Sequence, residues 1–159
     1  MGSIPDALPS FADVQEAAAR LRAHVVRTPV LRHPLLDALT GGRVVVKPEP
    51  LQRTGSFKLR GAMNAALQMD PSARRGGIVS FSSGNHGQAT AAAAHALGMP
   101  ALVAMPSDAP AIKVESTRRW GAEITFFDRR STDRRSRADG RTAGSPSRSS
   151  SWRTQERPG

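Results

Sequence analysis

Apolar residues recur at helical or strand spacing up to Asp128, and this periodicity disappears in the residues that follow. A helical pattern covers 12–25, and proline breaks come after it. The β-branched run at 43–50 is closed by two prolines and predicts a short strand. A second helical pattern covers 56–69, with Ser56 as its predicted N-cap. The N-terminal part is therefore predicted to be mainly helical, with one short strand.

A regular alternation of strands and helices follows. Strand patterns lie at 77–82, 100–106 and 122–127, and helical patterns lie between them at 85–98 and 109–121. Short links in a strand-helix-strand sequence predict parallel strands joined by right-handed crossovers. The pattern therefore predicts an α/β fold, as part of a doubly wound parallel sheet with flanking helices.

Residues 129–159 differ from the rest in composition. The chain has a net charge of +10, and this segment contributes +6 of it through nine arginines against three acidic residues. It shows no hydrophobic period of 2 or 3.6. Such a segment cannot bury enough apolar surface to offset the entropy lost on ordering. We therefore predict a disordered tail.

Two interpretations of this tail compete. A basic arm for nucleic acid or an acidic partner would explain the charge. However, the tail has no interleaved aromatic residues, no RGG-type repeat and no alternation of Arg with Ser. A reading-frame shift near residue 129 would also explain it, since the wrong frame of a GC-rich coding region often yields arginine and serine. We favour the frame shift, so nucleic acid is not an expected partner.

The composition also excludes several classes of protein. The chain has no cysteine, which excludes disulfides and thiolate chemistry. No stretch approaches the length of a membrane span. Residues 1–15 lack the basic and apolar regions of a secretory signal. We expect a cytoplasmic protein with no membrane partner, and we assign no metal ligand.

One lysine lies in an unusual position. The chain has twenty arginines and three lysines, and Lys58 lies between Phe57 and Leu59 in the stretch TGSFKLRGA. A lysine amine is nucleophilic only when deprotonated, and burial beside apolar groups lowers its pKa. The flanking residues therefore suit a reactive amine. Without further context, such a lysine is more often a solvated surface charge.

A second motif, SFSSGNHGQATAAAAHALG, begins at a predicted strand and continues into a helix. Gly84 and Gly87 let the backbone approach a ligand closely. The N–H groups and dipole of the helix N-terminus favour negative charge. In open α/β sheets, ligands bind at the carboxyl ends of strands, where this loop falls. Taken alone, the motif fits a capped helix with glycines for turn geometry equally well.

Together the motifs are far more specific. The segments KPEPLQRTGSFKLRGAMNA, SSGNHGQATAAAA and ALVAMPSDAPAIKVESTRRWGAEI follow in order. They closely resemble the threonine dehydratase and serine racemase group of fold-type II pyridoxal-phosphate enzymes, over residues 11–128. Cysteine synthases tend to a Lys-Asp-Arg pattern and a Gly-Asn-Thr-Gly loop. The Phe-Lys-x-Arg-Gly-Ala and Ser-Gly-Asn-His-Gly forms therefore favour dehydratase or racemase.

The resemblance implies a cofactor, pyridoxal 5'-phosphate, and residues that bind it. Lys58 would hold the cofactor as a Schiff base and, once freed, would shuttle the α-proton of the substrate. Asn85 would donate a hydrogen bond to the phenolic oxygen of the cofactor ring. Phe57 would pack near that ring.

The resemblance also implies a substrate site. Ser83, Gly84, Asn85 and His86 would surround the substrate carboxylate. Ser83 matches the serine that acts as acid or base on the opposite face in racemases of this group. His86 would be a catalytic group or only a capping residue, and we favour the second.

The match to the family is partial. In the family, three further features lie later in the chain: the glycine-rich phosphate loop, the Ser or Cys at the pyridine nitrogen and, in some members, the cation ligands. None of them has a match in this sequence. The resemblance implies a partial tryptophan-synthase-β-like fold. Residues 1–50 would belong to the larger domain, 51–128 would form the smaller α/β domain with both motifs, and 129–159 would be the tail.

The expected activity is that of a β-eliminating lyase, converting threonine or serine to a 2-oxo acid and ammonia. We expect the chain to be truncated and weakly active or inactive, and its full-length relatives to be homo-oligomers. An amino-acid racemase of the same family would use the same residues. A nucleic-acid binder with a basic tail and a non-catalytic remnant are two further hypotheses.

Overall fold

The computed structural model describes residues 8–129, so the predicted disordered tail, apart from Arg129, lies outside the described part. The helices and strands of residues 8–129 alternate after a helical start, as the pattern predicts. In chain order they are α1 (Phe11–Leu21), α2 (Pro34–Thr40), α3 (Lys58–Leu67), α4 (Pro71–Gly76), β1 (Ile78–Phe81), α5 (Asn85–Ala96), β2 (Ala101–Pro106), α6 (Ala111–Arg118) and β3 (Glu123–Phe127).

The α1 helix begins with a capping box. The Ser10 hydroxyl accepts a hydrogen bond from the Asp13 N–H at 3.3 Å, and the Asp13 carboxylate accepts one from the Ser10 N–H at 2.7 Å. This exchange satisfies two N–H groups that a helix start leaves without partners. The helix ends at Leu21, short of residue 25, and Leu21 is buried against α3 and α5.

The predicted strand at 43–50 is wrong. Val46 makes only an isolated antiparallel bridge with Leu31, with two hydrogen bonds of 2.9 Å. Glu49–Leu51 then forms a 3₁₀ turn. β-branched residues favour extended backbone, but a strand also needs a neighbouring strand to pair with. Pro48 and Pro50 lack the N–H groups that would continue a ladder.

Ser56 is not the N-cap of α3, and that prediction is also wrong. Phe57 occupies the N-cap position and makes no side-chain capping bond. The chain turns at Gly55, where φ is +69°, and Ser56 after it is buried. Its hydroxyl has no hydrogen-bond partner within residues 8–129. A helix start read from sequence is uncertain by one or two residues, and here tertiary packing decides it.

The three strands form a parallel sheet in the order β1-β2-β3. Ser80 pairs with Val103, and Val103 pairs with Ile124. The helices α5 and α6 are the connections between successive strands. The predicted α/β class and the parallel arrangement are therefore confirmed, and the carboxyl ends of all three strands lie at one edge.

Packing of α3 against α5 forms the larger core cluster. Leu59, Met63 and Ala66 of α3 are 1% exposed, and they pack with Ala89 and Ala93 of α5, which are fully buried. Alanine on the facing helix lets the two helix axes approach closely. The alanine run therefore allows α5 to be buried along most of its length.

The two faces of the sheet differ in exposure. Val103 and Met105 on β2 are fully buried, whereas Val79 and Phe81 on β1 are 74% and 72% exposed. Alternate residues of a strand point to opposite faces. The Phe81 ring stacks on that of Phe127 with centroids 4.5 Å apart. Within residues 8–129, one face of the sheet is thus covered by helices and the other is open.

Two kinds of site have no candidate in the described part of the chain. No helix there has both the length and the apolar character to cross a bilayer. The same residues contain no group of three metal-ligating side chains near enough to hold an ion.

Candidate active site

Lys58 is the first residue of α3, and its side chain is exposed. The ammonium lies 5.0 Å from the centroid of the Phe57 ring, which is itself 58% exposed. Leu59, in contrast, is buried in the core. Successive helical residues point about 100° apart, so the burial of Leu59 does not bring Lys58 into the core. The prediction that the apolar neighbours bury Lys58 is therefore wrong, because its side chain lies at the surface of the described part of the chain.

An ion pair anchors the first turn of α3. The Arg60 guanidinium donates to both oxygens of the Glu49 carboxylate at 2.8 Å. The Thr28 hydroxyl donates to the same carboxylate at 2.7 Å. These hydrogen bonds, above all those from Arg60, lower the pKa of Glu49 to about 2. The Glu49 carboxylate thus joins α3 to two earlier parts of the chain, the 3₁₀ turn that contains Glu49 and the segment that contains Thr28.

A second clamp holds the loop before α3. The Gln52 amide accepts from the Val26 N–H at 2.9 Å and donates to the Val26 carbonyl at 3.0 Å. The Lys47 ammonium donates to the Thr28 carbonyl at 2.7 Å. The backbone of 26–28 is thus tied to the segment that leads into Lys58, which fixes where α3 begins.

The glycine-rich loop after β1 brings α5 close to the end of the strand. A methyl group at Gly87 would lie 2.6 Å from the Ser82 carbonyl oxygen and 3.0 Å from the Val103 side chain. Only glycine fits there without a shift of the backbone. Gly84, the N-cap, has open space around its Cα and no side chain to cap α5. The N–H groups of the first turn of α5 are therefore left without a side-chain cap.

Asn85 is the first residue of α5 and receives a hydrogen bond from the neighbouring crossover helix. The Lys113 ammonium on α6 donates to the Asn85 Oδ1 atom at 2.6 Å. An ammonium has only donors, so it binds the carbonyl end of the amide. The two Nδ2–H donors of Asn85 are thereby left for another acceptor.

Ser83 and His86 lie on either side of the helix start. Ser83 is half-buried and His86 is exposed. Within residues 8–129 the Ser83 hydroxyl takes part in no hydrogen bond, whereas the His86 carbonyl accepts one from Thr90 at 3.0 Å. No side chain caps α5, so the capping role that we favoured for the His86 imidazole is not observed.

An open cleft of about 310 Å³ lies between α3, β1 and the first turn of α5. Its walls are mainly apolar and include Ala62, Ala66, Met69, Phe81, His86 and Thr90. Ser80 also lines it, with a buried hydroxyl that has no partner within the described residues. No lysine or arginine from residues 8–129 lines the cleft, so we do not assign the cofactor phosphate to it.

The structure brings some of the predicted residues together and leaves others apart. Ser83, Gly84, Asn85 and His86 are contiguous at the start of α5, and α5 packs along α3, which begins with Lys58. In the described part of the chain, no hydrogen bond or ion pair joins Lys58 to this loop. The two motifs are therefore linked through helix packing rather than by direct contact.

The donor set fits part of pyridoxal phosphate. A lysine amine suits the cofactor aldehyde, the Asn85 amide donors suit a phenolic oxygen, and the N–H groups at the α5 N-terminus suit a carboxylate. No run of glycines longer than a pair occurs in residues 8–129. The described residues thus fit the ring and the substrate end but supply no counterpart to the phosphate loop.

Two contributors to this site were not found from the sequence. Lys113 contacts Asn85 from 28 residues away, and Glu49 binds Arg60 across 11 residues. Lys58 was selected as a candidate because lysine is rare in this chain. The same criterion would have identified Lys113 as a candidate site residue.

A model of the family described as "Pyridoxal-phosphate dependent enzyme" matches residues 21–148. The chain belongs to this family. The match confirms the family resemblance and the predicted cofactor. The fold-type II arrangement is confirmed as well, because solved structures of that type superpose on the chain.

Similar proteins include both lyases and racemases. The chain is 54% identical over 127 residues to an L-threo-3-hydroxyaspartate ammonia-lyase from Pseudomonas sp, covering 80% of this chain and 40% of that protein. It is 41% identical over 127 residues to a serine racemase from Schizosaccharomyces pombe, covering 80% and 39%.

A solved structure of maize serine racemase matches the chain with a TM-score of 0.70 and 37% identity, over 80% of this chain and 40% of that one. The chain thus spans about 40% of the length of these relatives.

Proposed function

We propose that the protein acts as a pyridoxal-phosphate-dependent ammonia-lyase on 2-amino-3-hydroxy acids. Threonine and serine are the proposed substrates, and the products are a 2-oxo acid and ammonia. The 54% identity to a hydroxyaspartate ammonia-lyase supports this reaction type. The substrate named for that relative is also a 2-amino-3-hydroxy acid, which supports the substrate class.

The observation that carries this proposal is the difference among the three lysines. Lys47 donates to the Thr28 carbonyl at 2.7 Å, and Lys113 donates to Asn85 at 2.6 Å. Within residues 8–129, the Lys58 amine meets only the Phe57 ring. Of the three amines, that of Lys58 is thus the one that would give up no hydrogen bond or ion pair of residues 8–129 on binding a carbonyl carbon.

Lys58 has two tasks in this proposal. Its Nζ atom would hold the cofactor carbonyl carbon and, once the substrate amine has displaced it, would take a proton from the substrate Cα atom. The cofactor, when bound, supplies the electron sink for the carbanion that this proton loss leaves. Phe57, beside Lys58, packs against the cofactor ring.

The loop at the start of α5 orients both ligands. The Nδ2–H donors of Asn85 bind the phenolic oxygen of the cofactor. The Ser83 hydroxyl and the His86 N–H bind the substrate carboxylate, because the positive end of the helix dipole favours an anion there. The Gly84 N–H donates to the Ser82 hydroxyl at 3.3 Å, and Gly84 contributes the open space beside that carboxylate. The loop therefore sets which Cα bond faces Lys58.

Reductive trapping tests the proposed cofactor site. Pyridoxal phosphate is added to the full chain, the adduct is reduced with borohydride, and the modified lysines are mapped by mass spectrometry. We expect modification mainly at Lys58 and a reduced yield in Asn85→Ala. Modification spread evenly over Lys47, Lys58 and Lys113 would contradict the proposal.

A product assay then separates the lyase from a racemase. The chain is incubated with cofactor and L-threonine, L-serine or L-threo-3-hydroxyaspartate, and 2-oxo acids and D-amino acids are measured. The lyase proposal requires 2-oxo acid formation. D-serine without 2-oxo acid would favour the second candidate, a racemase. Two observations support a racemase. The chain is 41% identical to a serine racemase, and the Ser83 hydroxyl makes no hydrogen bond within residues 8–129.

A further inference from the structure

We propose that Lys113 is a positioning residue for the cofactor, acting through Asn85. This inference rests on the proposed function, because it concerns how Asn85 meets the cofactor ring. Its basis is the 2.6 Å hydrogen bond from the Lys113 ammonium to the Asn85 Oδ1 atom. No other hydrogen bond holds the Asn85 side chain within the part of the chain that the structure describes.

Lys113 is itself held in place by its helix. Its N–H donates to the Pro110 carbonyl at 2.9 Å, and its carbonyl accepts from the Thr117 hydroxyl at 2.9 Å. Thr117 is fully buried, and Val114 packs α6 against Ala91 of α5. The ammonium therefore extends from a fixed helix toward the first residue of the neighbouring one.

The charge of Lys113 determines which end of the amide faces the site. An asparagine side chain can rotate by half a turn and exchange its donor and acceptor ends. Only the oxygen can accept from an ammonium, so the turned state would lose this bond. Lys113 thus selects the state in which Nδ2–H can donate to a phenolic oxygen. Its positive charge also favours the ionised form of that oxygen.

Three variants isolate this role. Lys113→Met removes the charge and the donors at similar volume, and Lys113→Arg keeps both. Arg118→Met removes a cation from the same helix at an exposed position. All three use the full chain, so any general effect of charge on α6 appears in Arg118→Met as well.

The free protein is measured first, by NMR of chain labelled with ¹⁵N-asparagine. The chain has two asparagines, Asn64 and Asn85, and Arg20 donates to Asn64. The Asn64 amide is therefore an internal reference. We expect Lys113→Met to shift the Asn85 NH₂ signals and leave those of Asn64 in place, while Arg118→Met shifts neither.

Titration with pyridoxal phosphate measures the consequence. Lys113→Met should raise the dissociation constant by about five- to tenfold, in line with losing one charge-assisted hydrogen bond that acts indirectly. The absorption band of the bound cofactor should also move to shorter wavelength, because a phenol absorbs at shorter wavelength than a phenolate. Lys113→Arg should retain both properties within about twofold of the unsubstituted chain.

Unchanged Asn85 signals, or an unchanged dissociation constant, in Lys113→Met would overturn the inference. Failure of the proposed function looks different, because the unsubstituted chain would then show no selective trapping of the cofactor on Lys58. In that case the inference about the cofactor fails with it. Equal trapping on Lys58 with and without Lys113 overturns the inference alone.

Discussion

Arg60 in the first turn of α3 donates two hydrogen bonds of 2.8 Å to Glu49, a residue of the 3₁₀ turn that precedes it. Lys58 lies between these two residues in the chain. The pair therefore closes a loop around the start of α3 and restrains where Lys58 can lie.

Replacing Glu49 by Gln should destabilise the chain in a pH-dependent way. The pKa of Glu49 is lowered from 4.5 to about 2, so the carboxylate contributes stability above pH 4.5 and loses that contribution as the pH falls toward 2. We expect a difference of about 1 kcal/mol at neutral pH, measured by urea unfolding. This difference in the free energy of unfolding should disappear as the pH approaches 2.

Glu115→Gln is the matched control for Glu49→Gln. Glu115 pairs with Arg119 at 3.1 Å, but both side chains are largely exposed. Exposed pairs contribute little because solvent screens them. Equal losses of stability in the two variants would mean that the Glu49–Arg60 pair has no special role.

Gly87→Ala should destabilise the loop after β1. The added methyl group would meet the Ser82 carbonyl oxygen at 2.6 Å and Val103 at 3.0 Å. Forcing the backbone apart should cost about 1–3 kcal/mol, measured by thermal or urea unfolding. Gly61→Ala is the control, since Gly61 is in α3 with open space around it. It should leave stability unchanged or raised by up to about 1 kcal/mol.

Leu59→Ala should loosen α3 from α5. Leu59 is 1% exposed and packs in the core between these helices, so its truncation should cost about 2–5 kcal/mol. The exposed Leu39→Ala on α2 should cost much less. If α3 packing positions Lys58, reductive trapping with pyridoxal phosphate should lose its selectivity in Leu59→Ala. Retained selectivity despite the lost stability would contradict that link.

Phe81→Lys should reduce self-association. Phe81 and Val79 expose apolar surface on the open face of the sheet, at the edge strand β1. Exposed apolar edges promote association between copies of a chain. Sedimentation at increasing protein concentration measures the effect. Phe11→Lys is the control, because Phe11 is 75% exposed and belongs to α1 rather than to a strand. An equal reduction in both variants would mean that added charge, rather than the sheet face, governs association.

The sequence pattern predicted the alternation of β1, α5, β2, α6 and β3, and the structure confirms each of these elements. Their hydrophobic periods are local properties, so they can be read without knowing the fold. The shared motifs likewise identified the family, because catalytic sites need particular residues at particular spacings. The wrong predictions concern elements whose state depends on distant residues.

The strand predicted at 43–50 illustrates this dependence. Its β-branched residues allow extended backbone, but whether they form a strand depends on whether another strand lies beside them. Within residues 8–129, only Leu31 pairs there, through a single bridge. Lys58 is a second case. Its neighbours Phe57 and Leu59 are both apolar, so the sequence does not show which of them is buried in the core.

Residue identities thus established the family, the cofactor and the order of the elements in the sheet region, since each follows from a local pattern. Folding alone decided which side chains meet. Lys113 reaches Asn85, and Arg60 binds Glu49, only because packed helices and turns bring them together. Hydrogen bonds act over about 3 Å, and no periodicity in the chain encodes that distance between remote residues.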